Sequence, residues 1–264
     1  MLVCYSKFQK VRGLINRLKK YIQTTFPKLY AFASNIKRRA KIKDNLKTLI
    51  YIHIGKCGGL TLGNASTNSP LVKKKFSSFH KIHVEKPPIL KNSSYAIIVR
   101  NPIERAISAF NWRYKLVVTD KRQKNRFGDE YKILKKYGTL NALCEQLFVD
   151  GVLNCAVSDE FQKIHHLKEN ISFYLNPLLD EILPSQLFAV FATETLDEDI
   201  TNILSLKNEL YVHQNSNKVS DDSKFLTKKA YHALKTYLID DYLYLTKLIT
   251  MNTTSSVDKN LLLN

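Results

Sequence analysis

Two short runs of β-branched and aromatic residues interrupt a chain whose apolar positions otherwise recur at helical spacing. They are Leu49-Ile50-Tyr51-Ile52-His53-Ile54 and Tyr95-Ala96-Ile97-Ile98-Val99. Runs of this length without polar alternation predict strands buried on both faces. Gln186–Ala192 reads as a third, late strand. Segments near 130–149 and 157–168 are predicted to be helical. So are residues 223–249, where Leu234, Leu238, Tyr242 and Leu245 keep a helical period. Strands alternating with helices predict an α/β fold, with a central parallel sheet flanked by helices.

The junctions after the two early strands carry the candidate chemistry. The first strand runs into Gly55-Lys56-Cys57-Gly58-Gly59-Leu60-Thr61, then a helix. Glycines there let the backbone approach a ligand, and the amides of a helix start point at it. With Lys56, the turn predicts an anion cradle suited to phosphate or sulfate. It is not a Walker A loop, because Cys57 follows the Gly-Lys pair and Ile50 stands where the earlier glycine belongs.

The second strand delivers Arg100-Asn101-Pro102-Ile103-Glu104-Arg105-Ala106-Ile107-Ser108. Asn101 as N-cap and Pro102 at the first helical position predict a helix. Asn101, Arg105 and Ser108 then share one polar face, while Ile103, Ile107 and Phe110 face inward. Arg100 sits at a strand's C-terminal end, where open α/β sheets bind ligands, and suits bidentate capture of a phosphate. Cys57, beside a lysine at a helix start, is either a redox-sensitive thiol of lowered pKa or a small space-filler.

The net charge of +18 is uneven, with 13 lysines and arginines in residues 1–48 against Asp44 alone. Val11, Leu14, Ile15, Leu18 and Ile22 form an apolar stripe among these cations. A basic amphipathic helix of this kind lies on an anionic membrane surface or docks on the chain's own core. Nucleic acid ranks lower as a partner, because no DNA- or RNA-binding motif accompanies the charge. The four cysteines, at 4, 57, 144 and 155, lack zinc spacing and read as reduced thiols. No run of ~18 uncharged apolar residues occurs and no secretory signal is evident. The expected location is cytoplasmic, peripheral on the inner membrane face through residues 7–47.

The two anion motifs, in this order, resemble those of the carbohydrate sulfotransferases. His53-Ile-Gly-Lys-Cys-Gly-Gly-Leu-Thr-Leu62 resembles their 5′-phosphosulfate loop, and Val99-Arg-Asn-Pro-Ile-Glu-Arg-Ala-Ile-Ser-Ala-Phe110 resembles their 3′-phosphate motif. Within that family the chain is most similar to heparan sulfate 2-O-sulfotransferases and bacterial family-2 sulfotransferases. Weaker similarity runs through Phe191–Leu196 to Asp241-Tyr242, about residues 48–249 in all.

The resemblance implies a P-loop-like sulfotransferase fold over residues 48–250, preceded by a basic extension (1–47) and followed by a polar, frayed tail (251–264). It implies transfer of a sulfuryl group from 3′-phosphoadenosine 5′-phosphosulfate (PAPS) to a hydroxyl of a carbohydrate or glycolipid, leaving 3′-phosphoadenosine 5′-phosphate. Gly55, Lys56, Cys57, Gly58, Gly59, Leu60 and Thr61 would hold the phosphosulfate, and Arg100 and Ser108 the 3′-phosphate, with Lys218 a further donor contact. Lys56 would sit at the leaving oxygen. A histidine between the motifs would be the base, His83 ahead of His80. No metal is expected, since a sulfuryl group carries fewer charges to neutralise than a phosphoryl group.

His53 is expected to be a satisfied core residue. His165 and His166 line the acceptor site or stand on an exposed helix. The family's hydroxyls are missing at Cys57 and Leu60, leaving Thr61 and backbone amides. The competing readings are a non-catalytic basic membrane- or nucleic-acid-associated protein with a degraded loop, and a nucleotide-dependent phosphotransferase requiring magnesium.

Overall fold

The computed structural model describes residues 42–207, 224–251 and 262–263. The chain divides into two compact units, Met1–Lys43 and Asp44–Asn264, and the second carries the sheet and its helices. The apolar stripe of residues 11–22, the loop containing Lys218 and the tail residues 252–261 lie outside the described residues.

The first strand, β1 (Thr48–His53), is buried throughout and leads through the glycine turn into helices α1 (Gly59–Asn68) and α2 (Pro70–Lys75). The chain returns as β2 (Ser78–Ile82) and then crosses to β3 (Ser94–Val99). Asn101 caps α3 (Pro102–Tyr114) by accepting from the amides of Ile103 and Glu104, the cap its sequence predicts. Five residues of π-helix, Lys115–Thr119, extend α3.

Helices α4 (Glu130–Tyr137) and α5 (Leu140–Cys144) follow, then a two-stranded hairpin, β4 (Phe148–Val149) with β5 (Val152–Leu153). The segment expected to be helical to residue 149 therefore breaks. Gly138 ends α4 with φ 71, and Asp150-Gly151 turns the chain with positive φ at both residues. Helices α6 (Cys155–Lys163), α7 (Ile171–Leu175) and α8 (Leu178–Glu181) lead to β6 (Leu187–Ala192) and α9 (Leu196–Leu204). The long helical pattern near the C-terminus forms two helices, α10 (Lys228–Tyr237) and α11 (Ile239–Met251).

Strands β2, β1, β3 and β6 pair in that order, all parallel, into one four-stranded sheet. Helices α1 and α9 pack on it. The fold is thus α/β, a central parallel sheet flanked by helices. Strands β1, β3 and β6 are almost continuously buried, which is why they read as unbroken apolar runs. Helix α3 also anchors a helical core, where Ile103, Ile107 and Phe110 meet Leu134, Phe161 and Leu234. Within the tail expected to fray, Leu262 is buried and its carbonyl accepts from Asn101 Nδ2. Among the described residues no helix is long and apolar enough to cross a membrane.

The helical core encloses an ion pair. Arg113 donates from Nε and Nη2 to the two carboxylate oxygens of Glu130 at 2.8 and 2.7 Å, with both side chains at most 2% exposed. Glu130 Oε1 also accepts from the amide of His165, and Gln123 accepts from Arg113 Nη1. Removing one partner leaves the other as an uncompensated buried charge. Arg113→Ala should lower the free energy of unfolding by about 3–5 kcal/mol in urea titrations. A loss inside the ~1 kcal/mol typical of exposed pairs would show that Glu130 is not held as described.

Candidate functional site

The sheet order places the candidate residues. The chain leaves β1 toward β2 on one side and returns to β3 on the other, so the order reverses between β1 and β3. Ligands in open α/β sheets sit at such a switch point, beyond the strands' C-terminal ends. There the glycine turn follows β1, and Arg100-Asn101 follows β3. A cavity of about 680 Å³ opens at this place, within the ~300–1,000 Å³ usual for small-molecule sites.

The turn is a cradle built by close packing. Lys56 and Gly58 both have φ 72, and Gly58 is the left-handed N-cap of α1. Left-handed residues alternating with others turn successive amides to one side, as anion-binding nests do. A non-glycine residue held there is strained, a state found at binding sites. A Cβ on Gly59 would lie 1.9 Å from His53 Cδ2, and one on Gly55 2.6 Å from His166 Nδ1. Glycine is thus required at both positions because imidazole rings press on the backbone. Tyr51, buried in β1, donates its hydroxyl to the Gly59 carbonyl at 2.9 Å and ties strand to turn.

Gly55, Lys56, Gly58, Gly59, Leu60, Thr61, Arg100 and Ser108 all line the cavity. Burial, with Arg100 and Arg105 nearby, pulls Lys56 down to about 8. Its ammonium lies 4.5 Å from the ring centroid of Trp112, a cation–π contact. Arg100 is partly exposed and bonds Glu104 at 3.3 Å, one turn along α3. Such a pair is worth only ~0.3–0.5 kcal/mol, so it does not lock the guanidinium away from a ligand. Acidic groups line the cavity too, among them Glu194, which accepts from the Asn101 amide.

Several expectations need correction. Arg105 does not share an open polar face with Ser108. It is 1% exposed and donates Nη2 to the carbonyls of His166, at 2.7 Å, and Glu169. Cys57 is fully buried and does not line the cavity; burial pushes its thiol up to about 12, which leaves the space-filler and removes the redox reading. His80 is not among the lining residues either. Strand alternation sets it on the opposite face of β2 from Phe79, which stacks on Tyr51, and from the cavity-lining Lys81.

The histidines converge instead. His53 and His83 stack with centroids 4.3 Å apart, His83 and His166 lie at 5.8 Å, and His165 and His166 at 4.2 Å. His83 Nδ1 is 2.9 Å from the His53 carbonyl, which can only accept. Nδ1 therefore carries the proton, and the Nε2 lone pair is left for the cavity. Burial lowers the pKa of His83 and keeps it neutral. His53 is buried as expected but not satisfied: its Nδ1 has no partner among the described residues, and its ring lines the cavity.

His165 and His166 stand in the turn after α6, not on an exposed helix. His166 takes φ 69 and is 9% exposed. Their pairing with α3 joins distant segments, and the adjacent His-His was its only sequence signal. His165, His166 and Glu169 also offer potential ligand atoms within 4.8 Å of one another, as a metal group would. Glu169 Oε2 already accepts from the His166 amide at 2.8 Å and contacts His165 Nδ1 at 3.1 Å, so hydrogen bonds account for the carboxylate.

Burial holds His53 down to about 3 and His166 lower still, against an ordinary 6.5. The unfolded chain therefore takes up protons that the folded chain refuses. Stability should be intact above pH 6.5 and fall between 6.5 and 3 as pH drops, by up to about 1.4 kcal/mol per pH unit for each ring. Thermal melts from pH 7 to 5 should show this loss, and His53→Phe should flatten it. An unaltered slope in the variant would count against the buried neutral ring.

No protein-family model, no curated protein and no solved structure matches the chain.

Proposed function

We propose that the chain transfers a sulfuryl group from PAPS to a hydroxyl acceptor on a carbohydrate or glycolipid, with the sulfotransferase form of the α/β fold that its two anion motifs resemble. The observation that carries this reading is the meeting of Lys56, Arg100 and the free face of His83 in one cavity at the sheet's switch point. Two cations just beyond the ends of neighbouring strands suit a ligand with two anionic ends. The cradle, bare of Cβ atoms where the backbone must come close, fits the phosphosulfate end.

Each residue has a stated task. Lys56 and the amides of the turn hold the phosphosulfate, and Thr61 lines the same wall. Arg100 and Ser108 bind the 3′-phosphate, with Arg100 exchanging its weak Glu104 contact for a doubly bonded anion. His83, neutral and held by its Nδ1 bond, presents a base to the acceptor. As the acceptor oxygen bonds to sulfur, the bond from sulfur to the donor phosphate breaks. The acceptor proton passes to His83 Nε2, and the electron pair stays on the phosphate oxygen beside Lys56. An anionic membrane surface remains the proposed resting place of the basic extension, residues 7–47, and the location inside the cell belongs to the same reading.

Calorimetry with 3′-phosphoadenosine 5′-phosphate tests the site directly. Binding should occur without magnesium and weaken roughly 10- to 100-fold in Lys56→Ala and in Arg100→Ala, the weight of one charge-assisted contact. Affinity should also decline as pH rises through about 8, where Lys56 gives up its proton. Absence of binding, or magnesium-dependent preference for ATP, would overturn the proposal.

A further inference from the structure

We propose that His83 and His166 form a complementary pair that clamps one acceptor hydroxyl, His83 Nε2 accepting its hydrogen bond and His166 Nε2–H donating one to the same oxygen. This rests on the hydroxyl-acceptor reading above and adds a second imidazole to it. The two rings line the same cavity with centroids 5.8 Å apart. Two hydrogen bonds of ~2.8 Å meeting at a tetrahedral oxygen put their nitrogens about 4.6 Å apart, a span that one hydroxyl bridges when the Nε2 edges of two rings at this centroid separation tilt toward each other.

The tautomers make the pair complementary. The His53 carbonyl places the proton of His83 on Nδ1. In His166 it is Nδ1 that lies against Gly55, buried and without a partner. A buried N–H left unpaired is costlier and rarer than a lone pair left unpaired, so the proton of His166 sits on Nε2. That atom is not among the buried unpartnered ones, and it is the remaining polar group of a ring whose residue lines the cavity. One ring thus offers a lone pair and the other an N–H.

A hydroxyl is both donor and acceptor, so it satisfies the two rings at once. Its second lone pair stays free to attack sulfur, while its proton moves to His83 Nε2. A carbonyl or a carboxylate could not donate to His83, and an ammonium could not accept from His166. The clamp therefore selects hydroxyls. His53 cannot take the second role, since its Nε2 lies against Gly59, where a Cβ would come within 2.3 Å.

His166 is fixed for this task by contacts outside its ring. Its carbonyl accepts from Arg105, its amide donates to Glu169, and its backbone is left-handed. Burial, with His165, His83, Arg105 and Lys56 facing it, keeps the ring neutral, so the N–H is that of an imidazole.

Imidazole ¹⁵N NMR of the full chain reads the tautomers without any substrate. The expected result is Nδ1–H at His83 and Nε2–H at His166, assigned by the signals lost in single variants. Nδ1–H at His166 would overturn the clamp. Sulfate release from PAPS, with water as acceptor, supplies the second readout. His166→Leu should lower kcat about five- to tenfold, the worth of one lost hydrogen bond, with affinity for 3′-phosphoadenosine 5′-phosphate within about twofold of wild type. His166→Gln, which keeps an N–H, should recover part of the rate. Equal rates in wild type and His166→Leu, or rate and product affinity falling together in both variants, would refute the clamp. No product binding by the wild type would remove the underlying reading too, whereas binding with the opposite His166 tautomer would defeat the clamp alone.

Discussion

One buried guanidinium holds the site together. Arg105 extends from α3 and gives two hydrogen bonds to main-chain carbonyls, those of His166 and Glu169, while its Nε goes unpartnered. A buried charge stays in place only when its surroundings fix it, and here they are backbone dipoles with Asp241 at longer range. Asp241 in turn accepts from the amides of Ile171 and Ser172, which start α7. Two turns along α3, the Arg113–Glu130 pair holds the amide of His165. The segment carrying both histidines is thus gripped from a single helix, and that grip presses His166 onto Gly55. Helix α3 also begins at Asn101, beside Arg100, so one helix links the cationic strand end to the histidine turn.

Charge of both signs lines the cavity, with Lys56 and Arg100 set among carboxylates that include Glu104 and Glu194. Lys56 is destabilised as a cation by its burial and by two arginines, and its depressed pKa measures that strain. Its ammonium rests on an aromatic face, a weak partner compared with a carboxylate. Arg100 pairs with the half-exposed Glu104 and lies within electrostatic reach of Glu194. An anion placed beside Lys56 would offset its repulsion by the two arginines. The histidines beside these cations are neutral chiefly because they are buried, and the neighbouring cations add to that.

Much of this was legible where local rules decide. Strands β1 and β3 showed as apolar runs because both faces are covered, and Asn101-Pro102 announced α3 because capping is a short-range matter. What escaped was set by distant partners. Arg105 reads as a surface residue until the 166–169 turn closes over it. His53 reads as satisfied core, yet its carbonyl, not its ring, makes the decisive bond. Helical periodicity around residues 130–149 conceals the hairpin, whose turn depends on positive φ at Asp150 and Gly151. His80 and His83 are three residues apart in one sequence pattern, and once β2 pairs with β1 the alternation of the strand turns His80 away from the face that Phe79 and Lys81 share.

The contact between Lys56 and Trp112 has an optical consequence. Trp112 is the sole tryptophan of the chain, and it lines the cavity with an ammonium above its ring. An indole's emission responds to the electric field across it, so any ligand that draws the lysine away or neutralises it alters the fluorescence. Because no second indole contributes, the signal arises wholly at the site. The molecule carries its own dye, placed where occupancy changes the field most.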